Sequence, residues 1–214
     1  MSKKVYIVKA SEAYISLFKS LGFTLTFDPQ QADIACFTGG ADVSPHMYGA
    51  EVHPQTHNDA FRDAQEAVFF KRFQEDGVPC VGICRGGQFL NVMSGGTMYQ
   101  HVTKHLGDHQ ITDLETGETI MVSSTHHQMM KPSPDALLVA SSGLRGDREW
   151  VEGNILKREV SEEDVEVVYY PHTNCLCFQP HPEFTAPHYK SMREYFDTLL
   201  QRFFFEEEVK CGCC

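Results

Sequence analysis

The chain has 214 residues, 42% of them hydrophobic, which is enough for one sizeable domain and short for two. Its 18 basic and 29 acidic side chains give a formal net charge of −11, which argues against nonspecific binding to nucleic acid or to an anionic membrane surface. No apolar run approaches the roughly 18 residues needed to span a bilayer, and Met1-Ser-Lys-Lys enters a strand-like run without a signal-peptide core, so cytoplasmic residence is the expectation.

The β-branched run Lys4 to Lys9 predicts a first strand, and Ser11 is placed to cap a helix from Glu12 to Leu21 that ends at Gly22. Phe23 to Phe27 alternates threonine with apolar residues and predicts a second strand. Asp33 to Phe37 predicts a short buried one that runs into Thr38-Gly39-Gly40. A polar loop fills about 41–60. Phe61, Ala64, Val68, Phe69 and Phe73 then read as the apolar face of a helix from Phe61 to Glu75. An apolar run ending in Gly82-Ile83-Cys84 predicts a buried strand, and a helix begins at once behind it and closes at Ser94-Gly95-Gly96. From about Gly96 to Val168 the pattern loosens. Thr119–Ser123, Leu137–Ala140 and Val165–Tyr170 read as strands, with antiparallel pairing open. Asn174 to Gln179 is a further strand, and Thr185 to Phe204 an amphipathic closing helix. Alternating strands and helices imply a parallel sheet covered on both faces, with its active site at the carboxyl ends of the strands. Residues 1–205 are expected to form one domain, and 206–214, ending Cys211-Gly-Cys-Cys214, a mobile tail without a catalytic role.

Cys84 sits on the tight strand-to-helix turn. Gly82 and Gly86 suit such a turn because a side chain there would crowd the backbone. A nucleophile elbow has this form, here with a thiol in place of serine. The positive end of the helix dipole favours the thiolate, and the unpaired N–H groups that open the helix can hold an oxyanion. A cysteine nucleophile needs a base and the base an orienter. His181 and Glu183, delivered by the strand at Asn174–Gln179 and stiffened by Pro180 and Pro182, supply them.

Gly82-Ile-Cys-Arg-Gly-Gly-Gln88 and Gln179-Pro-His-Pro-Glu183 resemble the two signatures of the class I glutamine amidotransferase superfamily, and most closely those of its γ-glutamyl hydrolase-like (peptidase C26) branch. Phe37-Thr-Gly-Gly-Ala-Asp-Val-Ser-Pro-His-Met-Tyr-Gly49, Arg62-Asp63 with Glu66, and Asn91 to Gln100 also fit that branch, so the resemblance runs from about Val5 to about Phe203. It implies an α/β, flavodoxin-like three-layer sandwich with a mostly parallel central sheet and an additional small antiparallel sheet. It implies Cys84, His181 and Glu183 as catalytic residues, and an oxyanion hole from the Gly39-Gly40 loop and the Arg85 amide. Gln88 would contact the glutamyl substrate, and backbone groups at Ser124, Thr125 and His126 would grip its α-amino and α-carboxylate end. Three features stand out against the family pattern. Arg85 stands, as arginine often does in the γ-glutamyl hydrolase branch, where synthetase-linked glutaminases commonly carry an apolar residue, Pro180 replaces a bulky one, and the chain is short for that branch.

The implied activity is cysteine-dependent hydrolysis of a small γ-glutamyl amide, with no cofactor or metal. A glutaminase subunit feeding ammonia to a separate synthetase or ligase chain stays open, as does a non-catalytic binding subunit on the same fold. The chain carries no P-loop or other synthetase motif. His126 and His127 are adjacent on an extended segment and should point apart, which speaks against a shared metal. His101, His105 and His109 recur four apart, but Gly107 and Asp108 interrupt any helix, so a solvent-facing loop is expected. His46, His53 and His57 are candidates for the mouth of the cleft. Cys36, Cys80, Cys84, Cys175 and Cys177 lie in apolar or glycine-rich surroundings that suit buried reduced thiols, and Cys175 and Cys177 are read as facing opposite sides of their strand.

Overall fold

The computed structural model describes residues 2–144, 146–161 and 163–206, so the cysteines of the tail, Cys211 to Cys214, lie outside the described residues. The first half of the chain runs β1 (Lys4–Val8), α1 (Glu12–Ser20), β2 (Thr24–Leu25), β3 (Ile34–Phe37), α2 (Ala60–Glu75), β4 (Cys80–Ile83), α3 (Arg85–Met93). Short strands follow: β5 (Thr97–Tyr99), β6 (His101–Val102), β7 (His109–Asp113), β8 (Thr119–Val122) and β9 (Met129–Lys131). The chain continues through β10 (Leu137–Ser142), β11 (Asp147–Glu152), β12 (Ile155–Val160), β13 (Asp164–Tyr170) and β14 (Cys175–Phe178), and ends in α4 (Lys190–Leu200) with a π-helical turn, Gln201–Phe205.

Among the described residues, nine strands form one sheet in the order β2-β1-β3-β4-β14-β13-β10-β7-β8. The pairings make β13 and β7 the two strands that run against the other seven, so the sheet is mostly parallel in direction. Two small antiparallel sheets lie beside it, β12-β11-β6 and β5-β9. Side chains alternate between the faces of the central strands. Ile34, Cys36, Val81, Ile83, Leu176 and Phe178 pack with α1 and α4, whereas Ala35, Phe37, Cys80, Cys175 and Cys177 pack with α2 and α3. The result is the three-layer sandwich. It also reverses one expectation: Cys175 and Cys177, two apart on a strand, share a face.

Other expectations need local correction. The Ser11 side chain makes no capping hydrogen bond; its carbonyl accepts from the Ile15 N–H instead. The second strand is only two residues long, because beyond Leu25 the chain leaves β1 for a short turn at Pro29–Gln31. The closing helix is shorter than expected, with a 3₁₀ turn at Pro187–Tyr189 before it. Helix α2 buries a different stripe from the one its apolar residues suggest. Asp63, Glu66, Phe70 and Phe73 face inward, while Phe61 and Val68 are 72% and 71% exposed. Two carboxylates take inward positions because a buried arginine, described below, waits opposite them.

The carboxyl ends of β3, β4, β14 and β8 reach the same edge of the sheet, and the antiparallel β7 and β13 begin there. Topology alone therefore brings Gly39, Cys84, His181, the 123–128 segment, His109 and Glu166 to one end of the molecule. A larger, open depression of about 730 Å³, lined by Lys4, Asp33, Pro79, Asn174 and Phe205, lies at the opposite edge.

Candidate active site

Cys84 occupies the bend between β4 and α3 with φ 52° and ψ −115°, a backbone conformation that costs a non-glycine residue on the order of 1–3 kcal/mol. Its neighbours hold it there. The Cys84 N–H donates to the Phe178 carbonyl at 2.8 Å, tying the elbow to β14. A methyl group on Gly82 would overlap the Gly86 backbone, and one on Gly86 would overlap the Phe37 carbonyl. The glycines therefore let the first turn of α3 pack directly on β3 and β4. The N–H groups of that turn open toward the cleft, since the first intrahelical bond is donated by Gln88 to Cys84 at 3.0 Å.

His181 is held from four sides. Its Nδ1 lies 2.7 Å from Glu183 Oε1, and its Nε2 lies 2.8 Å from Thr125 Oγ1. Its backbone N–H donates to Ser123 Oγ at 3.1 Å, and its ring stacks on Phe184 with centroids 4.8 Å apart and planes 9° from parallel. Burial alone would lower its pKa, but the Cys84 thiol and the Glu183 carboxylate, which both favour the imidazolium, outweigh it and raise the value to about 10.

The cleft between these residues has a volume of about 410 Å³. Cys84, His181, Gly40, Arg85, Gln88, Thr125 and His126 all line it, so the expected site residues converge, joined by Ala41, Asp42, His57, His127 and Gln128. Gly39 faces Cys84 and His181, since a methyl group on it would stand 3.7 Å from Cys84 Cβ and 3.4 Å from His181 Cε1, and Ser124 is buried. The Gly39 N–H donates to the Tyr14 hydroxyl at 2.9 Å, and the Ser124 hydroxyl donates to the His105 carbonyl. Gln88 Nε2 reaches Gln179 Oε1 at 3.1 Å and the Gln128 carbonyl at 3.3 Å, a fixed polar floor one helical turn beyond Cys84.

Arg85 contributes its backbone to the cleft and its side chain to the interior. The guanidinium is 1% exposed and pairs with both Asp63 and Glu66 of α2. Glu66 also binds Arg62 Nε at 2.7 Å. Arg62 in turn donates to the Gly39 and Thr38 carbonyls at 2.9 and 2.8 Å, and Asp63 accepts the Ser44 N–H at 3.0 Å. One ion-pair network thus fixes the glycine-rich loop, the following loop and the elbow relative to each other.

Sequence reasoning missed several of these residues. Tyr14 carries no motif signal, yet it joins α1 to the Gly39 amide. Burial and the nearby Glu183 raise its pKa, so its hydroxyl stays protonated. Asp42 sits inside the glycine-rich loop and faces His127 Nε2 at 3.3 Å. This contact outweighs burial and raises the pKa of His127. His126 and His127 do point apart, as expected. His57 lies at the cleft, but His53 is buried, bonded to Glu149 at 3.3 Å and stacked on His101 at 5.8 Å. The largest correction concerns His105 and His109. They are buried rather than solvent-facing, and they meet His126 and the carboxylates Asp164 and Glu166.

Comparison with known proteins agrees with this architecture. Residues 30–116 match the family model described as Peptidase C26. The chain is 34% identical over 152 residues to the glutamine amidotransferase-like protein YvdE homolog of Lactococcus lactis subsp. cremoris, covering 56% of this chain and 81% of that protein. It is 28% identical to the carbamoyl phosphate synthase small chain of Polynucleobacter asymbioticus over 61% of this chain and 30% of that protein. A glutamine amidotransferase from Thermotoga maritima superposes with a TM-score of 0.61 at 13% identity, covering 96% of this chain and 89% of that one, which shows a shared fold. Among the described residues, no helix is long and apolar enough to cross a membrane.

Proposed function

The chain belongs to the class I glutamine amidotransferase superfamily, in its peptidase C26 branch, and from that premise we propose that it hydrolyses a γ-glutamyl amide, either glutamine or a γ-glutamyl amine, through a thioester on Cys84. The observation that carries this reading is the pairing, across one cleft, of a strained elbow cysteine with a histidine bound to Glu183. In this mechanism the Cys84 proton rests on His181 Nε2, where the neighbouring groups favour the imidazolium, and the sulfur attacks the γ-carbonyl carbon as the thiolate. The N–H groups of the Gly39-Gly40 loop and of Arg85 receive the oxyanion. The carbon–nitrogen bond then breaks as His181 returns the proton to the leaving amine or ammonia. Water gives its proton to His181 and attacks the thioester, which releases the γ-carboxylate and restores the thiolate. Glu183 keeps the imidazole oriented. Gln88 and the backbone of Ser124, Thr125 and His126 hold the glutamyl end, and the whole site sits in a single domain spanning residues 1–205.

The test is direct. The purified chain, incubated with glutamine and with γ-glutamyl amines, should release glutamate, and Cys84→Ala should not. Absence of turnover on every γ-glutamyl amide tried would sink the reading.

A second reading, a glutaminase subunit that delivers ammonia to a separate synthetase, is favoured by the similarity to a carbamoyl phosphate synthase small chain. It predicts slow hydrolysis alone and acceleration by a partner that completes the site. Vigorous turnover by the isolated chain decides for the free hydrolase. A non-catalytic role on the same fold is disfavoured by the intact set of Cys84, His181 and Glu183.

A further inference from the structure

We propose that His105, His109, His126 and Glu166 form a buried site for a divalent transition metal ion of the zinc class, set directly behind the Ser124–His126 wall of the cleft. The site is assembled by topology. His109 opens β7, Glu166 lies near the start of β13 and His126 follows β8, all at the same edge of the sheet. The ligand atoms of His105, His109 and Glu166 all fall within 4.8 Å of one another, and each of the three residues is buried.

The hydrogen bonds around the cluster determine which nitrogens are free. His126 Nδ1 lies 2.9 Å from the Gln128 carbonyl and His109 Nδ1 3.4 Å from the Gly107 carbonyl. A carbonyl can only accept. His109 also has Glu166 Oε1 at 3.0 Å, a closer acceptor for its Nε2–H in the absence of a metal, whereas His126 Nδ1 carries the hydrogen and leaves Nε2 as a lone-pair atom. His105 Nε2 lies 2.6 Å from Asp164 Oδ2, which leaves Nδ1 in the same condition. All three remaining nitrogens then aim at one carboxylate. His109 Nε2 and His105 Nδ1 stand 3.0 and 3.4 Å from Glu166 Oε1, and His126 Nε2 stands 3.7 Å from Glu166 Oε2. His105 Nδ1, His126 Nε2 and Glu166 Oε2 have no hydrogen-bond partner although they are buried.

Lone pairs facing a carboxylate repel, so something positive must sit between them. Two added protons would place two imidazolium rings, those of His105 and His126, with centroids 5.0 Å apart inside the protein. One divalent ion satisfies the same four groups with the rings neutral. Zinc bonds of about 2.0–2.2 Å in a tetrahedron put neighbouring ligand atoms about 3.3 Å apart, comparable to the 3.0, 3.4 and 3.7 Å between the three ring nitrogens and Glu166. The outward bonds to Asp164, Gly107 and Gln128 are the kind that orient histidines around a metal. Three imidazoles and one carboxylate suit zinc or its neighbours better than magnesium or calcium. With four protein ligands the site would be structural, joining β7 and β13 to the segment that carries Thr125. This departs from the metal-free chain that the sequence suggested.

The experiment is a metal count on the full chain without a polyhistidine tag, carrying Cys211→Ser, Cys213→Ser and Cys214→Ser to remove competing thiols. After zinc loading and gel filtration, elemental analysis should find one zinc per chain. Cobalt loading should give the intense visible bands of a tetrahedral site, and a strong chelator should lower the thermal midpoint. His109→Gln and Glu166→Gln should lose the stoichiometric ion, and Asp164→Asn, which only orients His105, should bind about 10–100-fold more weakly. The elemental and cobalt readings need no variant of the cluster, so misfolding of one cannot mask the answer. A zinc-loaded chain that retains no stoichiometric metal, or retention unchanged by both ligand substitutions, overturns the proposal.

Discussion

The guanidinium of Arg85, one residue beyond the candidate nucleophile, is bound to the carboxylate of Glu66, with both side chains sealed from solvent. The residue that offers its N–H to the cleft is thereby anchored in the opposite direction. Because Glu66 also holds Arg62, which grips the Thr38 and Gly39 carbonyls, the elbow and the glycine-rich loop share one foundation.

Breaking that foundation should be expensive. Arg85→Ala leaves Asp63 and Glu66 buried without their shared cation, and loss of one partner from a buried pair costs about 3–5 kcal/mol. Urea unfolding should show this loss. The double change Arg85→Met, Glu66→Met should cost less than the sum of the two single changes.

Two glycines at opposite ends of α3 give a graded test. Gly86→Ala drives a methyl into the Phe37 carbonyl and should destabilise the chain by about 1–3 kcal/mol while distorting the elbow. Gly95→Ala meets open space, so only its φ of 92° counts against it, at about 1–2 kcal/mol. Turnover measured beside thermal midpoints should fall sharply for the first and stay near wild type for the second.

Covalent chemistry should be confined to one thiol. A glutamine-mimicking diazo-ketone should label Cys84 ahead of the other seven cysteines, read by peptide mass spectrometry. Cys84→Ala should abolish turnover. His181→Asn should lower it by about 10²–10⁴-fold, and Glu183→Gln, which removes orientation rather than proton transfer, should retain measurable activity. Even labelling, or an essential His127 with a dispensable His181, would show the assignment to be wrong.

The pH behaviour of His181 follows from its partners. Its folded value of about 10 lies above the ordinary histidine value near 6.5. The stability it contributes is therefore fully present below about pH 6.5 and is lost as pH rises through about 10. A proton NMR titration should place its midpoint well above 6.5 and shift it downward in both Cys84→Ala and Glu183→Gln. A midpoint at the ordinary value in the wild-type chain would show that the thiol and the carboxylate do not act on the imidazole as described.

Local pattern was enough to place the strand-to-helix bend at Cys84 and the segment that carries His181. The apolar run before Cys84, the glycines around it and the proline-stiffened segment at His181 are short-range signals. Strand period and glycine sterics act within a few residues, so the alternation of strands and helices was legible as well. What the sequence could not decide was which distant side chains meet. Phe61 and Val68 look like core residues of α2 until Arg85, packed from another element, draws Asp63 and Glu66 inward. His105 and His109 look like loop residues until the reversed strands β7 and β13 carry them against Glu166. Buried charge and buried imidazole are stable only with a partner, and the partner lies far away along the chain. For these residues, burial was decided by tertiary pairing and could not be read from local hydropathy.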